Sequence, residues 1–191
     1  MEKKVGILGG TFDPPHIGHL IIADQVLTLC NLDEVRFMPN HIPPHKEKKS
    51  NSTVKDRLNM LELATKDHSR YKIETIELKR EGKSYTYTTM SLLRQLEPEN
   101  TFSFIIGGDM IDYLPKWYKI EELMKLVQFI GVARPNYKGK TNYPVQMIDI
   151  PTIDISSSMI REKIARGHSV KYLLTDSVIK YIEENRLYGT R

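Results

Sequence analysis

The sequence predicts an α/β fold built on a doubly wound, mostly parallel β-sheet. Short apolar runs alternate along the chain with longer segments of helical periodicity, which is the pattern of repeated strand–helix–strand units. The first run, Val5–Leu8, leads directly into two glycines, and the later run Thr101–Ile106 ends in the same way. Because open α/β sheets bind ligands beyond the carboxyl ends of their strands, these two strand ends are the expected edge of a binding crevice.

Each predicted element has a local reason in the sequence. Apolar runs bounded by polar or turn-forming residues predict strands at Val5–Leu8, Glu34–Pro39, Tyr71–Leu78, Thr101–Ile106, Gln128–Ala133 and Val145–Ile150. Apolar residues at helical spacing predict helices at Ile17–Leu29, Thr53–Thr65, Tyr87–Leu96, Ile120–Leu126, Ser157–Arg166 and Ser177–Glu184. Three boundaries carry specific signals, since Thr53 stands at capping-box spacing from Asp56, Pro98 stops the third helix and Gly167 closes the fifth.

The length and composition indicate one folded domain. We expect a single domain over residues 1–191, with a small C-terminal helical part from about residue 156. Hydrophobic residues make up 40% and charged residues 27% of the chain, so a packed core is expected. No apolar run is long enough to span a membrane, and the N-terminus lacks the apolar segment of a signal peptide, which predicts a cytoplasmic protein. Cys30 is the only cysteine, which excludes an internal disulfide.

The positive charge of the chain does not by itself indicate a nucleic-acid partner. The net charge is +4 and the isoelectric point is near 9.0. The sharpest basic cluster, residues 45–49, is interrupted by Glu47, and no basic helix accompanies it. It fits a solvated loop that attracts small anionic substrates better than a nucleic-acid surface. We therefore expect small-molecule partners and no nucleic acid.

The segment after the first strand, GGTFDPPHIGH, is typical of a nucleotide phosphate site. Gly9 and Gly10 let the chain turn sharply and bring backbone N–H groups close to a phosphate, and Thr11 adds a hydroxyl. Phe12 fits either the core or a wall of the site. The glycine spacing matches neither the dinucleotide fingerprint nor a P-loop, so a different phosphate motif is required.

Two histidines at the start of the first helix are the strongest catalytic candidates. His16 and His19 are three residues apart, so on a helix they face the same side and both can donate to phosphate oxygens of a nucleotide. Gly18 between them keeps the backbone close to the ligand. Two other interpretations are helix-capping histidines and a metal pair, but no third histidine or cysteine stands at ligand spacing.

A second polar cluster opens the fifth predicted helix. Ser156, Ser157 and Ser158 stand where an N-cap is expected, and Arg161 follows one turn later. Hydroxyls, unpaired helix N–H groups and a guanidinium together suit the β- and γ-phosphates of a nucleotide. A solvated helix face is the alternative for Arg161.

The two motifs together resemble the nucleotidyltransferase superfamily marked by HxGH and ISSTxxR, whose members transfer a nucleotidyl group from ATP or CTP to a phosphate. The only departure is Ser158 in place of threonine, which keeps the hydroxyl. Further similarity to the bacterial nicotinate-nucleotide adenylyltransferases lies in Ser84–Thr86, Gly107–Asp109 and Trp117–Tyr118 and in the Pro39–Lys46 loop, and it extends over essentially the whole chain. The resemblance implies a Rossmann-like fold and adenylyl transfer from ATP to nicotinate mononucleotide.

The resemblance also implies roles for individual residues. Gly107 and Asp109 would contact ATP, Asp109 through the ribose or magnesium, and Arg134 would contact the adenylate side. Trp117 would stack on the nicotinate ring, while backbone groups at Thr86 and Tyr118 would bind its carboxylate. Asn40 and Lys46 are further substrate-binding candidates. Mg²⁺ would be held mainly by the ATP phosphates, with no dedicated protein cage.

Several alternatives stay open from the sequence. Sister activities are phosphopantetheine adenylyl transfer, adenylyl transfer to nicotinamide mononucleotide, and cytidylyl transfer to a small phosphate. A different class is a nucleotide-binding regulatory module without catalysis, against which the intact His16, His19 and Arg161 argue. Exposed apolar residues near Tyr172–Leu174 fit either a homodimer contact or simple packing.

Overall fold

The computed structural model describes residues 2–41, 52–80, 84–132, 141–151 and 154–190, and for Asp109 the backbone alone. Six strands form one sheet: β1 Lys4–Gly10, β2 Glu34–Pro39, β3 Tyr71–Ile73, β4 Thr101–Gly107, β5 Gln128–Val132 and β6 Val145–Ile148. The α-helices in the described ranges are α1 Ile17–Leu29, α2 Val54–Thr65, α3 Thr86–Leu96, α4 Gly108–Ile111, α5 Ile120–Leu126, α6 Ser157–Ala165 and α7 Asp176–Glu184. Two 3₁₀ turns, Leu114–Lys116 and Leu187–Gly189, complete the described elements.

The sheet has the strand order β3-β2-β1-β4-β5-β6, and the pairings between these strands are parallel. The chain builds outward from β1 in one direction and from β4 in the other, which is the doubly wound arrangement. Apolar residues fill both faces of the central strands, as a sheet covered by helices on both sides requires. The predicted fold class is confirmed.

Most predicted elements form where local pattern places them. The helix α1, the strand β2 and the helix α5 have the predicted bounds. At the start of α2, Thr53 and Asp56 form the expected capping box, with the Thr53 hydroxyl accepting the Asp56 N–H at 3.1 Å. Beyond α6, Gly167 has φ +70° and so ends the helix in the left-handed conformation that favours glycine.

The predicted strand Tyr71–Leu78 is wrong after Ile73. The carboxylate of Glu74 accepts the N–H of Ile76 at 3.0 Å, and the N–H of Leu78 donates to the carbonyl of Thr75 at 2.9 Å. These local bonds give the backbone an alternative to the sheet ladder, so the chain turns here instead of extending. The turn carries Glu77 into the interior beside α3.

The C-terminal helices pack on α2 instead of on the centre of the sheet. Their apolar cluster includes Met60 from α2, Ile160 and Ile164 from α6, and Val178 and Ile182 from α7. This packing places the start of α6 against the segment that follows β1. No helix within the described ranges is both long and apolar enough to cross a membrane.

Candidate active site

The topology places a crevice beyond the carboxyl ends of β1 and β4. These two strands are hydrogen-bonded neighbours, with Leu8 opposite Ile105, and the chain leaves them toward opposite sides of the sheet. Such a switch point is where doubly wound sheets bind ligands. The two glycine-containing strand ends predicted to share one edge, Gly9–Gly10 and Gly107, therefore do so.

The glycines at the end of β1 do not make the sharp turn that was predicted. β1 extends through Gly10, which is in register with Pro39 of β2. A Cβ atom at Gly9 would lie 3.1 Å from Cζ of Phe104, and one at Gly10 would lie 2.9 Å from Cζ of Phe12. Glycine is needed here because aromatic rings pack directly on the strand backbone. The same lack of side chains leaves the strand end open to the crevice.

The turn comes two residues later, at Phe12. Its φ is +51°, and the following Asp13–Pro14 peptide bond is cis. The Phe12 side chain is 1% exposed, and its ring packs edge-on against Phe37 and His19 at centroid distances of 5.8 and 4.9 Å. Of the two interpretations, the core one holds for this side chain. Because the side chain is buried, only the backbone of Phe12 can contact a ligand. Its ring packs against the His19 ring.

His16 and His19 lie together at the start of α1, although His16 is not helical. It is the N-cap residue, with φ −135° and ψ 168°. The two rings stack at a centroid distance of 3.7 Å, and the backbone N–H of His16 donates to Nδ1 of His19 at 3.1 Å. A neutral His19 ring therefore carries its proton on Nε2, where it can act as a donor.

Gly18 is also required for a reason that the sequence did not indicate. A Cβ atom at this position would lie 3.1 Å from Nδ1 of His16. The glycine therefore makes room for the ring of His16, which is buried at the helix start. The positive end of the 13-residue helix α1 and the two imidazoles are thus held at one place, which suits a phosphate group.

The serines and the arginine of α6 meet the turn after β1. Ser156 caps α6, its hydroxyl accepting the N–H of Met159 at 3.2 Å as predicted for an N-cap. The Ser157 hydroxyl donates to the carbonyl of Pro14 at 2.9 Å. The Arg161 guanidinium donates from Nη1 to the carbonyl of Asp13 at 2.7 Å and from Nη2 to the Ser158 hydroxyl at 3.2 Å. Both sequence motifs therefore form one cluster.

The side chain of Asp13 is a buried anchor within this cluster. Its Oδ1 accepts hydrogen bonds from the hydroxyls of Ser52 and Tyr188 at 2.5 and 2.6 Å. Burial, together with the negative charge of Asp13, raises the pKa of the Tyr188 phenol far above its usual value. The phenol therefore stays protonated and donates to the carboxylate. The sequence analysis assigned no role to either residue.

Arg57 ties the end of β1 to the end of β2. This buried residue of α2 donates from Nη1 to the carbonyl of Thr11 at 2.7 Å and from Nη2 to the carbonyl of Asn40 at 2.8 Å. Burial lowers the pKa of its guanidinium, and the charge of Asp13 opposes that shift. Asn40 also reaches Thr11, with Nδ2 3.5 Å from its hydroxyl. The predicted site residues Thr11 and Asn40 are thus adjacent.

A second group of predicted residues gathers across Phe104 from the end of β1. Trp117 packs edge-on against Phe104 and Phe129 at centroid distances of 5.9 and 6.0 Å. The next residue, Tyr118, is 48% exposed, and its ring lies 4.9 Å from that of Tyr85. We call Tyr85, Thr86, Trp117 and Tyr118 the aromatic cluster. It unites the SYT and WY signatures, which are about thirty residues apart in the sequence.

Backbone N–H groups at the start of α3 belong to the aromatic cluster, and a cation, Lys119, lies beside it. Thr86 is the first residue of α3, and Tyr85 before it makes no side-chain cap. The Lys119 ammonium lies over the rings of Tyr87 and Tyr118, at 4.9 and 5.6 Å from their centroids. A helix N-terminus and a nearby cation favour an anionic ligand.

Three of the predicted site residues lie wholly or partly outside the described part of the chain. Lys46 and Arg134 lie outside the described residues, and of Asp109 only the backbone, within α4, is described. Within the described ranges, no group of three or more His, Cys, Asp or Glu side chains is arranged to hold a metal ion. Near the candidate dimer contact, Leu174 is buried in the C-terminal core, whereas Tyr172 is 83% exposed.

Comparison with known proteins identifies the family. The cytidylyltransferase-like family model matches residues 7–163. The nicotinate-nucleotide adenylyltransferase of Bacillus subtilis is 52% identical over 186 residues, covering 97% of this chain and 98% of the relative. The chain belongs to the nicotinate-nucleotide adenylyltransferase family. The resemblance noted from the sequence motifs is confirmed.

Solved structures with the same fold support the architecture of this adenylyltransferase family. The Plasmodium falciparum nicotinic acid mononucleotide adenylyltransferase complexed with NaAD has a TM-score of 0.83 at 24% identity, covering 99% of this chain and 98% of that one. The same protein complexed with APC has a TM-score of 0.80, also at 24% identity and with the same coverage. These likenesses concern the fold, and they extend over its whole length.

Sequence reasoning missed three residues that hold the adenylyltransferase site together. Arg57 carried a usable signal, since a charged residue one turn before Met60 and Leu61 on the core-facing side of a helix needs a buried partner. Asp13 stood inside the quoted motif but was assigned no role. Tyr188 lies after the last helix and carried no local signal.

Proposed function

We propose that this member of the family transfers the adenylyl group of ATP to the phosphate of nicotinate mononucleotide. The products would be nicotinic acid adenine dinucleotide and pyrophosphate. The observation that carries the proposal is the cluster of imidazole and guanidinium groups after β1, with the aromatic cluster joined to the end of the same strand through Phe104. The name of the B. subtilis relative and the NaAD complex of the P. falciparum neighbour support the choice of substrate and product.

The reaction is a direct in-line displacement at the α-phosphorus of ATP. An oxygen of the mononucleotide phosphate forms the new bond to this phosphorus, and the bond to the bridging oxygen of pyrophosphate breaks. The nucleophile is already an anion at neutral pH, so neither a general base nor a covalent enzyme intermediate is required. Catalysis then consists of holding two polyanions together and stabilising the charge that develops.

His16 and His19 supply the donors for that charge. The stacked rings lie at the positive end of α1, and the bond accepted by His19 Nδ1 places the proton of a neutral ring on Nε2, a donor suited to a phosphate oxygen. Thr11, Gly9 and Gly10 border the same space with backbone groups and one hydroxyl. The Phe12 ring packs against the His19 ring and so helps to fix its position.

Arg161 and the serines of α6 contact the leaving pyrophosphate. A guanidinium has five N–H donors, so its bonds to Asp13 and Ser158 leave capacity for a β- or γ-phosphate oxygen. The Ser156 and Ser157 positions add the N-terminus of α6. Gly107, Asp109 and Arg134 remain the candidates for the nucleoside part of ATP.

The aromatic cluster selects the pyridine ring. Trp117 offers a ring face for stacking, and the N–H groups at Thr86 and Tyr118 bind the ring carboxylate, with Lys119 adding positive charge. Donors aimed at an anion discriminate against a carboxamide, because an amide brings N–H groups of its own to those donors. Asn40 and Lys46 remain candidates for the substrate phosphate.

Mg²⁺ enters with ATP as part of the substrate. Among the described residues, no group of three or more His, Cys, Asp or Glu side chains could hold a metal ion, and the groups proposed to face the phosphates are imidazoles, hydroxyls and a guanidinium. This set fits an ion held by phosphate oxygens and water. Bound in this way, the ion would neutralise charge on the leaving pyrophosphate.

The test is pyrophosphate release from Mg-ATP with nicotinate mononucleotide and nicotinamide mononucleotide in parallel. Strong turnover with the acid and weak turnover with the amide is the expected result. Equal turnover would keep adenylyl transfer and remove the proposed recognition of the carboxylate. Absence of turnover with both would contradict the proposal and direct the search to phosphopantetheine, other small phosphates and regulatory binding. A homodimer and a cytoplasmic location stay predictions.

A further inference from the structure

A buried carboxylate with no part in the chemistry described above lies behind the aromatic cluster. Glu77 belongs to the turn after β3 and is 5% exposed. Its Oε1 accepts the hydroxyl proton of Thr89 at 2.9 Å, and its carboxyl is also hydrogen-bonded by the Ser84 side chain. Burial raises the pKa of this carboxyl, while these two hydroxyls and the charge of Arg80 oppose the rise.

The two partners of Glu77 stand on either side of the start of α3. Ser84 comes two residues before the first helical residue, Thr86, and Thr89 comes three residues after it. The Thr89 side chain is completely buried, and its Oγ lies 3.3 Å from the carbonyl of Tyr85. One hydroxyl carries one proton, and the shorter bond to Glu77 takes it. The carboxyl of Glu77 is therefore hydrogen-bonded to residues on both sides of the start of α3.

The hydrogen bonds to Glu77 compensate for the absence of a side-chain cap at the N-terminus of α3. Tyr85 accepts no N–H of the first turn through its side chain, so nothing in the N-cap itself fixes the direction of those N–H groups. The same segment carries the ring contact between Tyr85 and Tyr118. Any movement of Ser84–Thr86 would therefore shift both the helix N-terminus and one wall of the aromatic cluster.

We propose that Glu77 is a positioning residue for substrate specificity, holding the N–H groups at the start of α3 in line with the carboxylate of the pyridine ring. The inference rests on the proposed function, since it assigns the carboxylate to Thr86. Glu77 does not touch the substrate and acts through Ser84 and Thr89. The geometry separates this effect from the phosphate chemistry, which uses groups at the ends of β1 and α6.

The test is steady-state kinetics of Glu77→Gln with both mononucleotides and with ATP. The amide keeps the size of the side chain but has no negative charge and one acceptor oxygen fewer, so its hydrogen bonds to the two hydroxyls are weaker. We expect KM for nicotinate mononucleotide to rise about tenfold, with kcat and KM for ATP within about twofold of the wild type. The ratio of kcat/KM for the acid over the amide should fall by a similar factor.

A second pair of variants keeps the test valid if Glu77→Gln folds poorly. Thr89→Ser retains the hydroxyl and should keep the wild-type selectivity, whereas Thr89→Val lacks it and should reproduce the Glu77→Gln pattern. The matched control is Glu34→Gln, which changes another buried glutamate. Glu34 is the first residue of β2 and accepts hydrogen bonds from Arg36 and Lys3. This variant should alter stability without altering KM for the mononucleotide.

Two results would overturn the inference while leaving the proposed function intact. One is unchanged acid-over-amide selectivity in folded Glu77→Gln and Thr89→Val, with normal wild-type turnover. The other is an equal change in KM for ATP and for the mononucleotide, or the same pattern in Glu34→Gln, which would indicate general loosening. Failure of the wild type itself to use nicotinate mononucleotide would instead refute the proposed function, and the role of Glu77 with it.

Discussion

The phenol oxygen of Tyr188 lies 2.6 Å from Oδ1 of Asp13, across 175 positions of the sequence. Both residues are buried, and Tyr188 has φ +59°, which is uncommon for a residue other than glycine. The backbone carbonyls of Asp13 and Pro14 are the ones that accept the hydrogen bonds of Arg161 and Ser157. A contact from Tyr188 therefore fixes the segment that leads into His16 and His19, the proposed catalytic histidines.

Replacing Tyr188 by phenylalanine should weaken both the fold and the site. The change leaves a buried carboxylate with one donor fewer, and a hydrogen bond to a charged group contributes about 1.5–3 kcal/mol. We expect the free energy of unfolding in urea to fall by about 2 kcal/mol and kcat to fall several-fold. Tyr181→Phe is the matched control, because Tyr181 bonds Asp56 and Asn59 away from the histidines. Equal kcat in Tyr188→Phe and the wild type would argue against a role for this bond in positioning.

His19→Ala should abolish most of the activity while the protein stays folded. If Nε2 of His19 stabilises the developing charge, its loss should lower kcat about 100-fold to 1,000-fold, as expected for one transition-state donor. KM values should change much less, because the interaction strengthens in the transition state. His168→Ala, at an exposed position after α6, controls for loss of an imidazole. A near-normal kcat in His19→Ala would remove the proposed role.

Trp117→Ala should act mainly on binding of the mononucleotide. Stacking of a base on an aromatic side chain contributes about 1–3 kcal/mol, so KM for nicotinate mononucleotide should rise about tenfold or more. Trp117→Phe should recover part of this, since it keeps a ring against Phe104 and Phe129. Tyr113→Ala, at an exposed nearby position, should have little effect. An unchanged KM in Trp117→Ala would contradict the stacking assignment.

Lowering the pH should weaken the ion pair between Arg36 and Glu97. The two guanidinium nitrogens of Arg36 hold both oxygens of Glu97 at 2.6 and 2.7 Å, and this lowers the pKa of Glu97 below its ordinary value of 4.5. A carboxyl with a lowered pKa in the folded state adds stability above the unfolded pKa, and this stability is lost as the pH falls through the folded value. The contribution is therefore present at neutral pH.

Glu97→Gln should remove that pH-dependent contribution. The difference in unfolding free energy from the wild type should be largest near pH 7, below about 1 kcal/mol because the pair is partly exposed, and should shrink toward acid. Urea unfolding at several pH values measures it, with Glu99→Gln at a neighbouring exposed position as the control. A difference that stays constant with pH would show that the charge of Glu97 is not responsible.

Local pattern was sufficient for most of the fold and for the phosphate motifs. Apolar periodicity and caps depend on neighbouring residues, so Ile17–Leu29 and Ile120–Leu126 could be predicted to their bounds. The HxGH and serine motifs, both predicted to contact nucleotide phosphates, lie next to each other in the structure. The predicted strand beyond Ile73 failed because the Glu74 side chain competes for the backbone, which its sequence pattern does not reveal.

The long-range polar contacts could not be predicted from one sequence. Nothing near Tyr188 indicates that its hydroxyl reaches Asp13, and nothing near Glu77 indicates that it holds the start of α3. Such pairs depend on how separate elements dock, which neither propensity nor spacing encodes. The sharp turn predicted at Gly9 and Gly10 was wrong for the same reason, since β1 extends through Gly10 and the Phe12 ring folds back onto it.

The position of β1 at the centre of the sheet has a consequence for synthesis on the ribosome. β1 is made first, yet its partner β4 begins at Thr101, and the groups that fasten the turn after β1 come from Ser157, Arg161 and Tyr188. A nascent chain can form the β1–β2–β3 half early, but the turn after β1 is held by its hydrogen bonds only once residues 157–188 have been made. The segment that leads into His16 and His19 is therefore expected to become ordered late in synthesis.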